Sequence, residues 1–336
     1  MTTYIVRRAV QAALILAGLS IFFFGVLNAE PGGPCQYILL TPSPNSQTRY
    51  NQCVVSRGLD KPLPVQYARW VGAVVHGDLG TDYTGTPVMD AIKARLPATI
   101  LLISIAYIVQ QLIALPLGML GALKRYSIYD HVFTLLSYVG LSLPTFWLGL
   151  MLIVFVADGL GWLPPGGIVS PSSAIPPFGS FGYWAYLPAH LGQASGDFAA
   201  HLILPATTLA VIGIGTDSRF MRASMLDVIT QDYVRTARAK GLPRRTVVLK
   251  HALRNALLPI ITNVGLFIPA LVSGAIITET IFGWPGMGQY FIVALGNKDN
   301  NTLQAILLLS ALFVLVGNLV ADLLYAWIDP RIRYDS

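Results

Sequence analysis

The stretch from Gln231 to Pro259, QDYVRTARAKGLPRRTVVLKHALRNALLP, limits what this chain can fold into. It carries Arg235, Arg238, Lys240, Arg244, Arg245, Lys250 and Arg254 against one acid, Asp232, yet lies between two strongly apolar segments. Such a charge density does not cross a bilayer, so the stretch must lie outside one while its neighbours span it. Its local signals are helix, stop, helix. Asp232 suits an N-cap, and Arg235, Ala237, Arg238, Ala239 and Lys240 are good helix formers. Gly241 supplies a left-handed helix end with Leu242 as its apolar partner, and Pro243 suits the first position of a second helix. Val247, Val248, Leu249, Ala252, Leu253, Ala256 and Leu257 give that second helix an apolar side. The expectation is a short helical elbow held at a membrane surface. On charge alone, a solvated basic loop obeying the positive-inside rule explains it equally well.

Composition supports a polytopic membrane protein: 54% of residues are hydrophobic and 11% charged. The net charge of +6 does not imply nucleic-acid binding, because the basic residues cluster beside apolar runs. Six spans are expected, at about 10–27, 98–123, 132–156, 202–214 (extended towards Met225), 257–277 and 303–327. Pro116, Pro144, Pro259 and Pro269 fall inside them, where proline often marks a kink. The first span follows Arg7 and Arg8, is long enough to cross, and lacks a good small-residue cleavage site. A polar region from Asn28 to about Leu96 and a Gly-, Pro- and aromatic-rich loop from Gly159 to about Ala200 read as extracellular. Of the 22 Lys and Arg, fifteen fall on one side: Arg7, Arg8, Lys124, Arg125, Arg219, Arg222, the seven of the elbow, Arg331 and Arg333. That bias makes both ends and the elbow cytoplasmic.

The run Arg235-Thr236-Ala237-Arg238-Ala239-Lys240-Gly241 resembles the EAA loop of the membrane subunits of bacterial ABC importers. Arg235 stands where that family has Glu, and Thr236 where it has its first Ala. The continuation from His251 to Pro259 is similar to the dipeptide, oligopeptide and nickel branch, on the side of the first permease of the pair. Thr278-Glu-Thr-Ile-Phe-Gly-Trp-Pro-Gly-Met-Gly288 resembles the turn that this branch carries at the outer end of its fifth helix. Pro62-Leu-Pro-Val-Gln-Tyr67, Gly77-Asp-Leu-Gly80 and Asp329-Pro-Arg-Ile-Arg333 extend the likeness over nearly the whole chain, densest from Leu96 onward. The insert from Cys35 to Arg57 is longer than the branch leads one to expect.

The resemblance implies an all-α type I ABC importer permease of six helices with a large extracellular region after the first. It divides the chain into 1–94 (first helix and extracellular region), 95–326 (transmembrane domain, with a coupling loop at about 217–256) and 327–336 (cytoplasmic tail). It implies that Asp232, Arg235, Thr236, Ala237, Arg238, Ala239, Lys240, Gly241 and Leu242 dock on an ATPase. The chain would be a non-catalytic half of a path for di- or oligopeptides or related small solutes in the bacterial cytoplasmic membrane. Its partners would be a homologous second permease, two ABC ATPase subunits or domains and an extracellular solute-binding protein, with ATP and Mg on the ATPases and no cofactor or nucleic acid bound here.

Catalytic signatures are lacking. No G-x-x-x-x-G-K-[ST] run offers a phosphate cradle, no H-E-x-x-H occurs, and His76, His131, His190, His201 and His251 have no metal-ligand spacing. Two acids, Asp322 in the last span and Glu279 at the outer end of the fifth, would suit a stand-alone proton-coupled carrier. No internal repeat supports that alternative. Asp322, only a turn or two from water, reads first as an ion-pair partner of a cytoplasmic basic residue or a side chain reaching the interface, and Glu279 either bonds the following turn or serves as an outer gate. Cys35 and Cys53 both fall in the first external region, on the oxidising side, and are expected to pair; two free thiols are the alternative.

Overall fold

The computed structural model describes residues 2–29, 35, 37–40, 44–56, 59–170, 190–257, 260, 267, 271 and 275–328. Most of the expected fifth span and the loop centre at 171–189 therefore lie outside the described residues, as do the side chain of Asp322 and the tail from 329. The described residues are helical, with one isolated β-bridge, Thr81 to Pro87.

Helix α1 (Thr2–Asn28) is followed by a single helical turn at Tyr37–Leu40 and by α2 (Ser46–Ser56) and α3 (Leu63–Val75). Helix α4 (Val88–Leu123) leads through a turn at Ser127 to α5 (Ile128–Ser142). Next come α6 (Thr145–Leu152), continuing as π-helical Ile153–Gly159, and the long α7 (Leu191–Ile229). The elbow consists of α8 (Asp232–Ala239) and α9, whose pieces are Arg244–Thr246, π-helical Val247–Ala252 and Leu253–Ala256. The chain then forms α10 (Ile276–Ile281), α11 (Met287–Gly296) and α12 (Asn300–Ile328).

Four of these helices are long and apolar enough to cross a membrane, within Val10–Asn28, Val88–Leu123, Ser195–Ile229 and Asn300–Val320. The expected third span is not one helix. Its halves, Ile128–Ser142 and Thr145–Gly159, meet at 98°, and counting the pair as one span gives five. The break has a steric cause: Leu143 precedes Pro144 and is extended (φ −79°, ψ 123°), the conformation that a following proline ring favours over the helical one. Pro97, Pro116 and Pro205, by contrast, lie inside continuous helices.

Helices α4 and α7 form the centre. They approach closely at Gly118, where a β-carbon would come within 2.7 Å of the Met221 side chain, the small-residue contact that lets membrane helices pack backbone to backbone. At the Leu123 end of α4, Ala122, Met221, Met225, Val248, Ala252, Ala256 and Ile260 form one buried cluster, which ties α9 to the bundle. At the opposite end, Trp284 packs fully buried among Ala98, Leu102, Ala106, Ile168, Leu202 and Ala206. Helix α1 lies along α12, and the Asn300 side-chain amide donates to the Leu27 carbonyl at 2.8 Å. Cys35 and Cys53 form a disulfide that closes the loop before α3.

Candidate functional site: the elbow and the Thr278–Gly288 turn

Helix α7 leads straight into the elbow. The N-cap of α8 is Gln231, one residue earlier than the Asp232 expected. Asp232 instead occupies the first helical position, where a carboxylate favours the positive end of the helix dipole. Its 3.8 Å pair with Arg235 is solvent-exposed and contributes little. The inner face of α8 is Val234 and Ala237, buried on Val247 with Val228 alongside. Tyr233, Arg235, Thr236, Arg238, Ala239 and Lys240 are exposed. Ala237, counted in sequence with the docking residues, therefore faces its own chain; Ala239 is the small residue on the open side.

Lys240 caps α8, and Gly241 follows in the left-handed region at φ +72°, its amide donating to the Arg238 carbonyl at 3.0 Å. Pro243 is the N-cap of α9 rather than its first residue. Within α9, Val247, Val248, Ala252 and Ala256 turn inward, whereas Leu249, expected on the same face, is 43% exposed. The π-helical register at Val247–Ala252 inserts an extra residue per turn and moves Leu249 out of the stripe. Ser224 fixes α9 to α7 by donating to the Ala256 carbonyl at 2.8 Å. A cavity of about 440 Å³ remains between elbow and bundle, lined by Leu123, Ile229, Arg238, Leu242, Arg244 and Val248 among others.

Just above the elbow, Arg222 of α7 grips Asp130 of α5 with two bonds, Nε to Oδ1 at 2.6 Å and Nη2 to Oδ2 at 2.8 Å. The Tyr126 amide adds a third at 3.0 Å. Sequence reasoning counted Arg222 as one cytoplasmic charge among many. The signal for its partner was Asp130, three residues after the N-cap Ser127, but the pairing depends on how α5 packs on α7.

Glu279 is fully buried at the outer turn. Its Oε1 accepts from Thr99 Oγ1 at 2.9 Å and the Ala275 amide at 3.3 Å, and its Oε2 from the Gly288 and Gln289 amides at 2.7 and 3.1 Å. Thr99 Oγ1 in turn accepts from the Met287 amide at 2.7 Å, and Trp284 Nε1 donates to the Ala98 carbonyl at 3.0 Å. The glutamate thus ties the Thr278–Gly288 turn to the outer end of α4. Both oxygens are in use, so it is placed as a clamp inside the turn rather than as an open gating acid.

Next to this turn, Asp82 and Asp299 are both buried. Asp82 Oδ1 accepts from the Thr84 and Thr86 amides, and Asp299 Oδ2 from the Tyr83 amide at 2.9 Å and Thr302 Oγ1 at 2.7 Å. Burial, aided by the nearby Asp82 charge, pushes the Asp299 carboxyl above the ordinary carboxylate range. The two aspartates join the Gly77–Thr86 loop to the start of α12.

One polar cluster inside the spans was missed in sequence. Asp217 of α7 accepts at Oδ2 from Gln110 Nε2 at 2.7 Å and from Gln111 Nε2, both on α4. The signal was an aspartate within an apolar helix. Among the described residues, no group of three or more His, Cys, Asp or Glu is placed to hold a metal.

Residues 114–334 match the family described as binding-protein-dependent transport system inner membrane component, and residues 1–103 match its N-terminal membrane-component family. The chain is 41% identical to the oligopeptide transport system permease protein AppB of Bacillus subtilis, covering 99% of this chain and 100% of the relative. It is 38% identical to the dipeptide transport system permease protein DppB of Escherichia coli K12, covering 99% of each. It is also 40% identical to the probable D,D-dipeptide transport system permease protein DdpB of the same strain, covering 97% of this chain and 96% of the relative.

Proposed function

The chain belongs to the binding-protein-dependent transport system inner membrane components, bacterial integral membrane permeases, and from that premise we propose that it forms half of an ATP-driven import path for di- or oligopeptides. It spans the membrane six times with both ends inside, beside a homologous second permease. An external binding protein delivers solute, and two ATPase subunits carry the ATP and Mg; this chain itself binds neither. The observation that carries the reading is the two-faced elbow. Val234 and Ala237 anchor α8 to Val247, while Arg235, Thr236, Arg238, Ala239 and Lys240 are left on the open side as a docking surface. ATP-driven closure acts through the difference in contact between that surface and the ATPases in the two states. A lone carrier using Glu279 as its coupling acid is disfavoured, since all four of that residue's hydrogen bonds would have to be rebuilt.

Two measurements test this. Single cysteines at Ser172 and Arg244, in a cysteine-free background, are probed in intact cells with an impermeant thiol reagent. Label at 172 and not at 244 is expected, and the reverse pattern overturns the orientation. The tagged chain should also purify with a second permease and ATPases whose hydrolysis rises with peptide-loaded binding protein. A chain that transports peptide alone in liposomes refutes the assignment.

A further inference from the structure

The Asp217 cluster lies deep in the bundle. Gln110 and Gln111 sit twelve or thirteen residues before the inner end of α4 at Leu123, roughly 20 Å along the helix. Asp217 faces them from the apolar Ser195–Ile229 stretch of α7. Gly213, one turn before Asp217, leaves the space that the Gln110 side chain fills.

Three observations distinguish this cluster from a satisfied structural contact. Both amide groups converge on Oδ2, and Asp217 Oδ1 accepts no hydrogen bond from any described residue. Gln111 Oε1 is a buried acceptor without a partner among the described residues. No described cation pairs with Asp217: on the same helix, Arg222 is committed to Asp130, and Arg219 lies over the Tyr138 ring at 4.7 Å. Among the described residues the site therefore presents a carboxylate oxygen and an amide oxygen that accept no hydrogen bond, while the Tyr107 hydroxyl is engaged with the Gln111 side chain. Beside it, Tyr107 lies within electrostatic reach of Asp217, and its ring stacks on Phe267 at 4.1 Å between centroids. Asp217 is partly exposed in the isolated chain. A carboxylate does not face lipid at this depth, so its open side faces a water-filled path or another protein.

We propose that Asp217, with Gln111, holds the α-ammonium group of the peptide midway through the membrane. The chemistry fits: an ammonium offers three donors and no acceptor, matching the unused oxygens. The two glutamine amides hold Asp217 in place, so the site stays polar when empty. A free amino terminus is common to unmodified peptides of every sequence. A carboxylate in this place grips all of them and leaves side-chain choice elsewhere. This inference rests on the peptide reading of the chain.

The test uses the assembled complex of both permeases and the ATPases, nucleotide-free, with Thr216→Cys in this chain. Thr216 is exposed and adjacent to Asp217, and Cys35 and Cys53 are silent because they are disulfide-bonded. The rate of maleimide labelling is measured with Ala-Ala-Ala and with N-acetyl-Ala-Ala-Ala, and peptide uptake is measured separately in liposomes. Free tripeptide is expected to slow labelling at least fivefold and the acetylated peptide not at all. Adding Asp217→Asn should remove the protection, and Asp217→Glu should keep most of it. Equal protection by the acetylated peptide, or protection that survives Asp217→Asn, overturns the ammonium site and leaves the peptide permease standing. So does absence of protection in a complex that takes up peptide. An Asp217→Asn chain that no longer assembles, while Asp217→Glu does, assigns the residue to an ion pair with the second permease instead. A complex that takes up no peptide at all removes the substrate reading and this site with it.

Discussion

Replacing Gly241 with valine tests the elbow most sharply, because its effect can be separated into strain and sterics. At φ +72° a β-carbon strains the backbone, at a cost of about 1–2 kcal/mol for an L-residue. No atom lies within 4 Å of where that β-carbon would sit, so clashes add nothing. The anchor of α8 is small: Val234 and Val247 are buried, and full burial of each is worth about 1.5–3 kcal/mol. The strain is thus a large share of what seats α8 and a small share of what holds the helix bundle. Each 1.4 kcal/mol shifts a two-state equilibrium tenfold, so the ratio of properly angled to misangled elbow falls by roughly tenfold. Gly241→Val should assemble with its partner permease at near-normal levels. It should lower solute uptake and binding-protein-stimulated ATP hydrolysis together, by several-fold to tenfold. Gly241→Asn should be milder, since asparagine tolerates the left-handed region. The assay is ATP hydrolysis by the reconstituted complex with and without loaded binding protein. A Gly241→Val complex that hydrolyses and transports like the parent would mean that the angle between α8 and α9 does not matter, and the docking argument would fail.

Ala237 and Ala239 should separate packing from docking. Ala237→Leu overfills the contact with Val247 and should cost about 1–3 kcal/mol of stability, read as a lower melting temperature of the purified complex. Ala239→Leu, on the open side, should leave melting unchanged and weaken ATPase co-purification. Arg222→Ala leaves Asp130, whose side chain is 6% exposed, without its cation and should cost about 2–3 kcal/mol. Adding Asp130→Asn should recover part of that loss, and a double-mutant cycle that shows strict additivity would deny the coupling. Because Asp299 is held above its unfolded value, its contribution to stability is present below that unfolded value and is lost as pH rises through the raised one. Melting of the parent relative to Asp299→Asn should therefore improve as pH is lowered from 7.5 towards 4, and a pH-independent difference would contradict the assignment.

Much of the fold was legible because long apolar runs and a basic elbow leave few alternatives. Helices α1, α4, α7 and α12 follow from length and hydropathy, and the left-handed Gly241 from the stop signal between two helical patterns. The 98° break was legible only as a proline that often kinks, since nothing local distinguishes Pro144 from Pro116, which α4 accommodates. Tertiary register stayed hidden. Arg222 and Asp130 lie far apart in sequence and meet only because α5 packs on α7. Likewise, the four bonds of Glu279 require the turn to fold back on α4. That Ala237 packs on its own chain was hidden for a related reason. A family motif marks positions that matter without saying whether they matter to the partner or to the elbow's own seat.

Helix α7 has 39 residues, about 58 Å of uninterrupted helix. It bears the Asp197–Ser170 contact near its outer end, Asp217 in between, and the Arg222 clamp and elbow at its inner end. Such a rod acts as a lever arm. A tilt of about 5° about its inner end would sweep the outer end sideways by about 5 Å, close to the rise of one helical turn. In the import machine proposed above, the stroke at the ATPase can therefore be small. Length alone would convert it, on that reading, into a displacement at the Leu191 end as large as one helical turn.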